Sequence, residues 1–274
     1  MNFIPYGHQW IGEEDVEEVV KVLKSEWITT GPKIEEFETT LSRYIGCGYA
    51  IAVNSGTSAL DIAVQTLNLP KSYEVITTPF TFVATSNAVL YNNLKPVFAD
   101  IEKETRNINP DEIRKKITDR TKAIIYMDYA GHPCDIEEIK EIADEHDLYL
   151  IEDACHAIGA EYKGKKVGNF ADMTVFSFHP VKHITTGEGG AVVTNNEEFY
   201  ERLKMLRNHG IDQDTRNRYG PNAGWAYDLK VPGRNYRISD FQSALGISQL
   251  KKLDAFLVRR EEIVRIYNEA FEAV

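Results

Sequence analysis

Between residues 49 and 195, short apolar runs alternate with longer amphipathic segments, and this alternation narrows the fold more than any other feature. "YAIAVN" (49–54), "EVITTP" (74–79), "KPVFAD" (95–100), "KAIIYM" (122–127), "LYLIED" (148–153), "MTVFSF" (173–178) and "GAVVTN" (190–195) have strand length and strand composition. Helical spacing fills 57–69, 82–93, 110–117 and 135–147. Two amphipathic helices, 13–26 and 33–46, precede the first strand, and Gly46 closes the second of them. Apolar strands joined by helices predict an α/β fold with a mostly parallel sheet covered by helices on both faces. From about Ser239 the pattern turns wholly helical, and it still runs at residue 274 with no cap or breaker, which reads as a cut inside a longer pattern. No internal repeat or low-complexity tract interrupts the chain.

The 274 residues suffice for a sizeable core. A formal net charge of −11 argues against nucleic acid or an anionic membrane as the main partner, since both require a positive face. It leaves room for a small anionic ligand, which needs only a few local donors. The three cysteines, Cys47, Cys134 and Cys155, are scattered and odd in number, so no disulfide framework or zinc spacing follows, and a reducing cytoplasm is the expected compartment. "MNFIPYGHQW" lacks the charged start and apolar run of a signal peptide, and no apolar run approaches a membrane span.

In open α/β sheets, ligands sit beyond the carboxyl ends of the strands. "NSGTSAL" (54–60) follows a strand and opens a helix; its free N–H groups and the Thr57 and Ser58 hydroxyls suit a phosphate, or serve as an ordinary helix cap. "IEDACHAIG" (151–159) sets Asp153 at a strand end, where an ionised carboxylate needs a partner: a cationic ligand nitrogen or backbone donors. Cys155 and His156 are sequence neighbours, but thiol–imidazole pairs normally form across a fold. His179 and His183 have a helical metal spacing, against which Pro180 and the surrounding turn residues argue. "VFSFHPVKHITTGEGGAV" (175–192) places Lys182 in a loop between two apolar strands. Lysine is usually a solvated surface charge, but one held in a dry pocket forms Schiff bases. Phe82 offers a ring that can stack on a flat cofactor. A phosphate cradle, a carboxylate for a pyridinium nitrogen and an imine-forming lysine are together the requirements of pyridoxal phosphate.

These motifs, with "PVFADI", "TKAIIYMDYAG", "LRNHG" and "GRNYRISDFQSALGISQLKKL", resemble the DegT-type family of nucleotide-sugar aminotransferases, pyridoxal phosphate enzymes of fold type I. The resemblance covers essentially the whole chain. It implies a large cofactor-binding domain over residues 1–248, and over 249–274 the start of a helical connection to a C-terminal small domain that is largely absent. It implies that Lys182 carries the cofactor and moves protons, and that Asp153 pairs with the pyridine nitrogen. Thr57 and Ser58 would bind the phosphate with help from Ser177, His156 would lie near the ring, and Phe82 would stack on it. Asn235, with Arg237 beside it, would reach the cofactor phosphate of a neighbouring subunit, giving a homodimer with shared active sites. No metal is implied. The expected reaction takes an amino group from glutamate to the keto carbon, C4, of a UDP-linked 4-keto-6-deoxy sugar in glycan biosynthesis. One branch of the family carries histidine in place of the lysine and dehydrates C3; Lys182 favours transamination. A catalytically silent regulator on this fold would not need both Lys182 and Asp153.

Overall fold

The computed structural model describes residue 5, residues 7–211 and residues 227–272. Two helices, α1 (Glu13–Leu23) and α2 (Pro32–Ile45), precede β1 (Tyr49–Val53). There follow α3 (Gly56–Thr66), β2 (Glu74–Thr77), α4 (Ala84–Tyr91), β3 (Lys95–Phe98), α5 (Pro110–Lys116), β4 (Thr121–Met127), α6 (Ile136–His146) and β5 (Tyr149–Asp153). A hairpin of β6 (Glu161–Tyr162) and β7 (Lys165–Lys166) leads to β8 (Met173–Ser177), β9 (Gly190–Thr194), α7 (Glu197–Arg207), α8 (Asp240–Leu250) and α9 (Leu253–Phe271).

Seven strands form one sheet in the order β1-β9-β8-β5-β4-β2-β3. β9 runs antiparallel to both of its neighbours, and the remaining pairings are parallel. The pleat sorts each strand's side chains between the two faces. In β1, Ile51 and Val53 pack with α3, α4 and α7, whereas Ala50 and Ala52 pack with α2 and α8. In β4, Ala123 and Ile125 join the α3–α4 side, while Ile124 and Tyr126 face α5 and α6. Helices therefore cover both faces, which is why the strands read as continuous apolar runs. Phe37, Leu41, Phe176 and Phe178 are fully enclosed, each contributing roughly 1.5–3 kcal/mol by leaving water.

One close approach shapes the site. A Cβ on Gly190 would lie 2.6 Å from the Ser55 carbonyl carbon and oxygen and 2.7 Å from the Gly56 nitrogen. Only glycine lets the start of β9 pass under the turn between β1 and α3.

Several boundaries differ from the sequence reading. The helix expected over 57–69 starts at Gly56 and ends at Thr66, because Ser55 caps it by accepting from the Ser58 N–H. The closing helical run breaks at Lys251–Lys252 into α8 and α9, and its last two residues, 273–274, lie outside the described residues. The hairpin β6–β7 and the helix α7 were not anticipated. Asn196 starts α7 by accepting from the Glu198 and Phe199 N–H groups.

Candidate active site

The carboxyl ends of β1, β2, β4, β5 and β8 open on one cavity of about 780 Å³. Of the residues singled out in the sequence, Thr57, Phe82, Asp153, His156, Ser177 and Lys182 line it. Each comes from a different turn, and the parallel strands bring those turns to one end of the sheet.

Asp153 ends β5 on the α3–α4 side and is 2% exposed. Its Oδ2 accepts from the Thr85 hydroxyl at 2.8 Å and its Oδ1 from the Cys155 N–H at 3.3 Å. Two neutral donors fix the carboxylate, so a ligand cation is a partner that it can still take. α3 points its first turn into the same cavity, with Thr57 exposed there. Ser58 is buried and turned away: its hydroxyl donates to Asn54 Oδ1 at 2.6 Å, and its N–H is used by the Ser55 cap. Ser55 and Gly56 line the cavity instead.

Lys182 sits in the loop between β8 and β9, half-buried rather than enclosed. That loop is fixed. The Phe178 carbonyl accepts from the Thr185 hydroxyl and the Thr186 N–H, each at 3.0 Å, and the Phe178 N–H donates to the Gly189 carbonyl at 2.9 Å. The Lys182 N–H donates to the His179 carbonyl at 2.9 Å. His179 lines the cavity, whereas His183 lines a second one beside Arg260, so the pair does not converge. Burial, and then the charge of Lys182, lower the His156 imidazole below the ordinary histidine range. His156 meets Tyr129 edge-on at 6.2 Å, and its Nδ1 is buried without a partner. Burial, with the positive charge of Arg260, takes His183 down to about 4. Burial and the Asp153 charge push the Cys155 thiol well up, which keeps it protonated and removes it as a nucleophile. Phe82 leaves 69% of its surface open to the cavity mouth.

Asn235 and Arg237 do not line the cavity but adjoin the turn that does: the Asn54 N–H donates to the Tyr236 carbonyl at 3.0 Å, and Arg237 forms a β-bridge with Val53 at the end of β1. Asn235 is exposed, and its carbonyl accepts weakly from Asn54 Nδ2 at 3.5 Å. Arg237 donates to Asn208 Oδ1 at 2.7 Å. Among the lining residues that escaped the sequence reading are Thr85, Tyr129 and Glu188. Tyr129 was legible in principle, two residues beyond the end of β4. Thr85 required knowledge of how α4 crosses the end of β5, and Glu188 lay inside a glycine run that carried no spacing signal.

A flat pyridine with an aldehyde and a phosphate tail fits this donor set. α3 presents N–H groups and the Thr57 hydroxyl to an anion, Asp153 sits at the floor for a protonated ring nitrogen, Lys182 offers an amine, and Phe82 offers an open ring face. The model of the DegT/DnrJ/EryC1/StrS aminotransferase family matches residues 9–274.

The chain belongs to this aminotransferase family.

It is 46% identical over 272 residues to a UDP-4-amino-4,6-dideoxy-N-acetyl-beta-L-altrosamine transaminase of Campylobacter jejuni, covering 98% of this chain and 70% of that protein. Among solved structures, it resembles PseC of Helicobacter pylori, an aminotransferase involved in the biosynthesis of pseudoaminic acid, with a TM-score of 0.91 and 39% identity over 97% of this chain and 70% of that one. It also resembles the PLP-form of the putative sugar aminotransferase Spr1654 of Streptococcus pneumoniae, with a TM-score of 0.91 and 32% identity over 98% of this chain and 71% of that one. The aminotransferase is thus a fold type I enzyme that depends on pyridoxal phosphate. Among its described residues, no helix is long and apolar enough to cross a membrane.

Proposed function

We propose that this aminotransferase moves an amino group from glutamate to the keto carbon, C4, of a UDP-linked 4-keto-6-deoxy sugar in glycan biosynthesis. The observation that carries this reading is the convergence of Lys182, Asp153 and the first turn of α3 on one cavity. When bound, pyridoxal phosphate supplies a carbon that takes up the amino group and a ring that draws electrons from the carbon losing its proton. Lys182 Nζ would hold the aldehyde and serve as the base and acid that moves the proton in both halves of the reaction. Asp153 would keep the ring nitrogen protonated. Thr57, with the Gly56 turn and Ser177, would hold the phosphate, while Ser58 would contribute through the Ser55 cap rather than by its hydroxyl. His156 and Phe82 would flank the ring.

Asn235 adjoins the turn after β1 without lining its own cavity, in keeping with a homodimer in which it completes the neighbour's phosphate site. Three free cysteines suit a reducing cytoplasm, where nucleotide sugars would be the substrates. The test is an incubation with glutamate and a panel of UDP- and dTDP-keto sugars, followed by identification of the product. Amination of a UDP-linked 4-keto sugar is expected. Amination confined to dTDP sugars, or at C3, would overturn the substrate assignment.

A further inference from the structure

Behind Asp153, on the opposite face of the sheet, three buried polar atoms lack partners: the Tyr126 hydroxyl, Asp128 Oδ2 and Glu152 Oε1. Adjacent strands bring them together. Tyr126 and Glu152 are register partners in the pairing of β4 with β5, and Asp128 lies two residues beyond Tyr126, on the same side of the pleat. Both carboxyl side chains belong to residues with 0% exposure. Their other oxygens are satisfied. Asp128 Oδ1 accepts from the Cys134 N–H at 3.0 Å. Glu152 Oε2 accepts from the Gly168 N–H at 3.1 Å and the Thr174 hydroxyl at 2.7 Å.

The Glu152 carboxyl lies beside both the phenol and the Asp128 carboxyl, and the titratable groups that act most strongly on the three from outside are Cys134 and Asp153, neither of them a cation. Two ionised carboxylates cannot sit so close in a dry interior without a counter-charge. One proton resolves the count. A carboxyl O–H on Asp128 Oδ2 donates to Glu152 Oε1, which gives both orphaned carboxyl oxygens a partner.

We propose that Asp128 and Glu152 share a single proton and act as a positioning pair for Asp153, keeping the ends of β4 and β5 together behind the cofactor site. The linkage to Asp153 is direct on both strands. Glu152 precedes it in the chain, and the Asp128 N–H donates to the Asp153 carbonyl at 3.2 Å. Burial raises both carboxyls above the ordinary carboxylate range, and the charge of Glu152 raises Asp128 further. The raised value favours keeping the shared proton, which is lost as pH rises through that value. Its loss puts two negative charges side by side, which repel and displace the strand end that carries Asp153. The effect on Asp153 as a cofactor partner rests on the aminotransferase reading; the shared proton does not.

Infrared difference spectroscopy on the cofactor-free protein tests the proton directly. A carbonyl band of a buried, protonated carboxyl is expected, shifting on exchange into heavy water. Asp128→Asn and Glu152→Gln each place an amide N–H where the proton sits, so both should fold and both should lose the band. The second readout is the induced circular dichroism of bound pyridoxal phosphate across pH. Wild type should show an alkaline change that follows the loss of the infrared band, and Asp128→Asn should lack that component. Absence of the band in wild type, or its persistence in both variants, would overturn the shared proton. An alkaline change of the same size in Asp128→Asn would overturn the positioning role. Failure to bind pyridoxal phosphate would count against the aminotransferase reading alone, because the band is read in its absence.

Discussion

Asp153 is a buried carboxylate that holds its place through neutral donors, and its value lies in what it can still accept. Replacing it with asparagine keeps the shape but removes the charge that stabilises a protonated ring in the transition state more than in the ground state. Asp153→Asn should lower kcat by about 10²-fold or more with cofactor still bound, as for the loss of a preorganised electrostatic partner. Near-normal turnover at full occupancy would remove Asp153 from this role. Thr85 donates to Asp153 Oδ2, a hydrogen bond to a charged group worth roughly 1.5–3 kcal/mol. Thr85→Val should therefore cost about tenfold in kcat with little change in KM, and Thr85→Ser should restore it; a loss that serine does not repair would point to packing instead. His183 gives a pH signature. Its folded imidazole titrates at about 4 against an ordinary value of 6.5, so the unfolded chain takes up a proton first as pH falls. The stability present above about 6.5 is lost progressively toward pH 4, by at most about 3 kcal/mol. Urea titrations of the cofactor-free His183→Gln variant should show a smaller loss over that window than wild type. Asp153 was legible as a cavity residue because it ends an apolar strand, and Lys182 because it sits in a loop between two apolar strands; the burial of Ser58 behind the Ser55 cap was not, because local pattern does not show which hydroxyl of that turn faces the cavity.

The elements were legible to different degrees for physical reasons. Runs such as 122–127 and 148–153 announced β4 and β5, since strands buried on both faces must be apolar throughout. Nothing in "GAVVTN" encodes that β9 runs antiparallel, because direction is set by the connections and not by side-chain period. The hairpin β6–β7, two residues a side, is too short for periodicity to register. At α3 the important residue is Ser55, whose oxygen caps the helix that presents its first turn to the cavity. Ser55→Ala should lower stability by about 1 kcal/mol, the usual worth of such a cap, and weaken phosphate affinity by loosening that turn. Gly190→Ala forces a Cβ onto the backbone of the same turn. It should cost roughly 1–3 kcal/mol, as overpacking does, read as a lowered denaturant midpoint; an unchanged midpoint would mean the turn yields freely.

At the scale of the molecule, the exposed apolar residues Leu90 and Tyr91 lie on α4, Val83 at its start and Phe98 on the edge strand β3. A second copy of the chain would cover such a surface, in keeping with the proposed homodimer. Mixing Lys182→Ala and Asn235→Ala subunits should restore part of the activity that each has lost, since a mixed dimer draws Lys182 from one chain and Asn235 from the other. Proven subunit exchange without any recovery would mean that each chain completes its own site. The α/β class and the gathering of strand-end residues were readable from the sequence alone, whereas the packing of residues 235–237 against the end of β1 depends on long-range contacts that local pattern does not carry. The central claim is that the cofactor is held by Lys182. Borohydride reduction of the protein loaded with pyridoxal phosphate, followed by peptide mapping, measures this most directly. A pyridoxyl group on Lys182 Nζ is the predicted result, and a group on any other lysine, or no uptake at all, would contradict it.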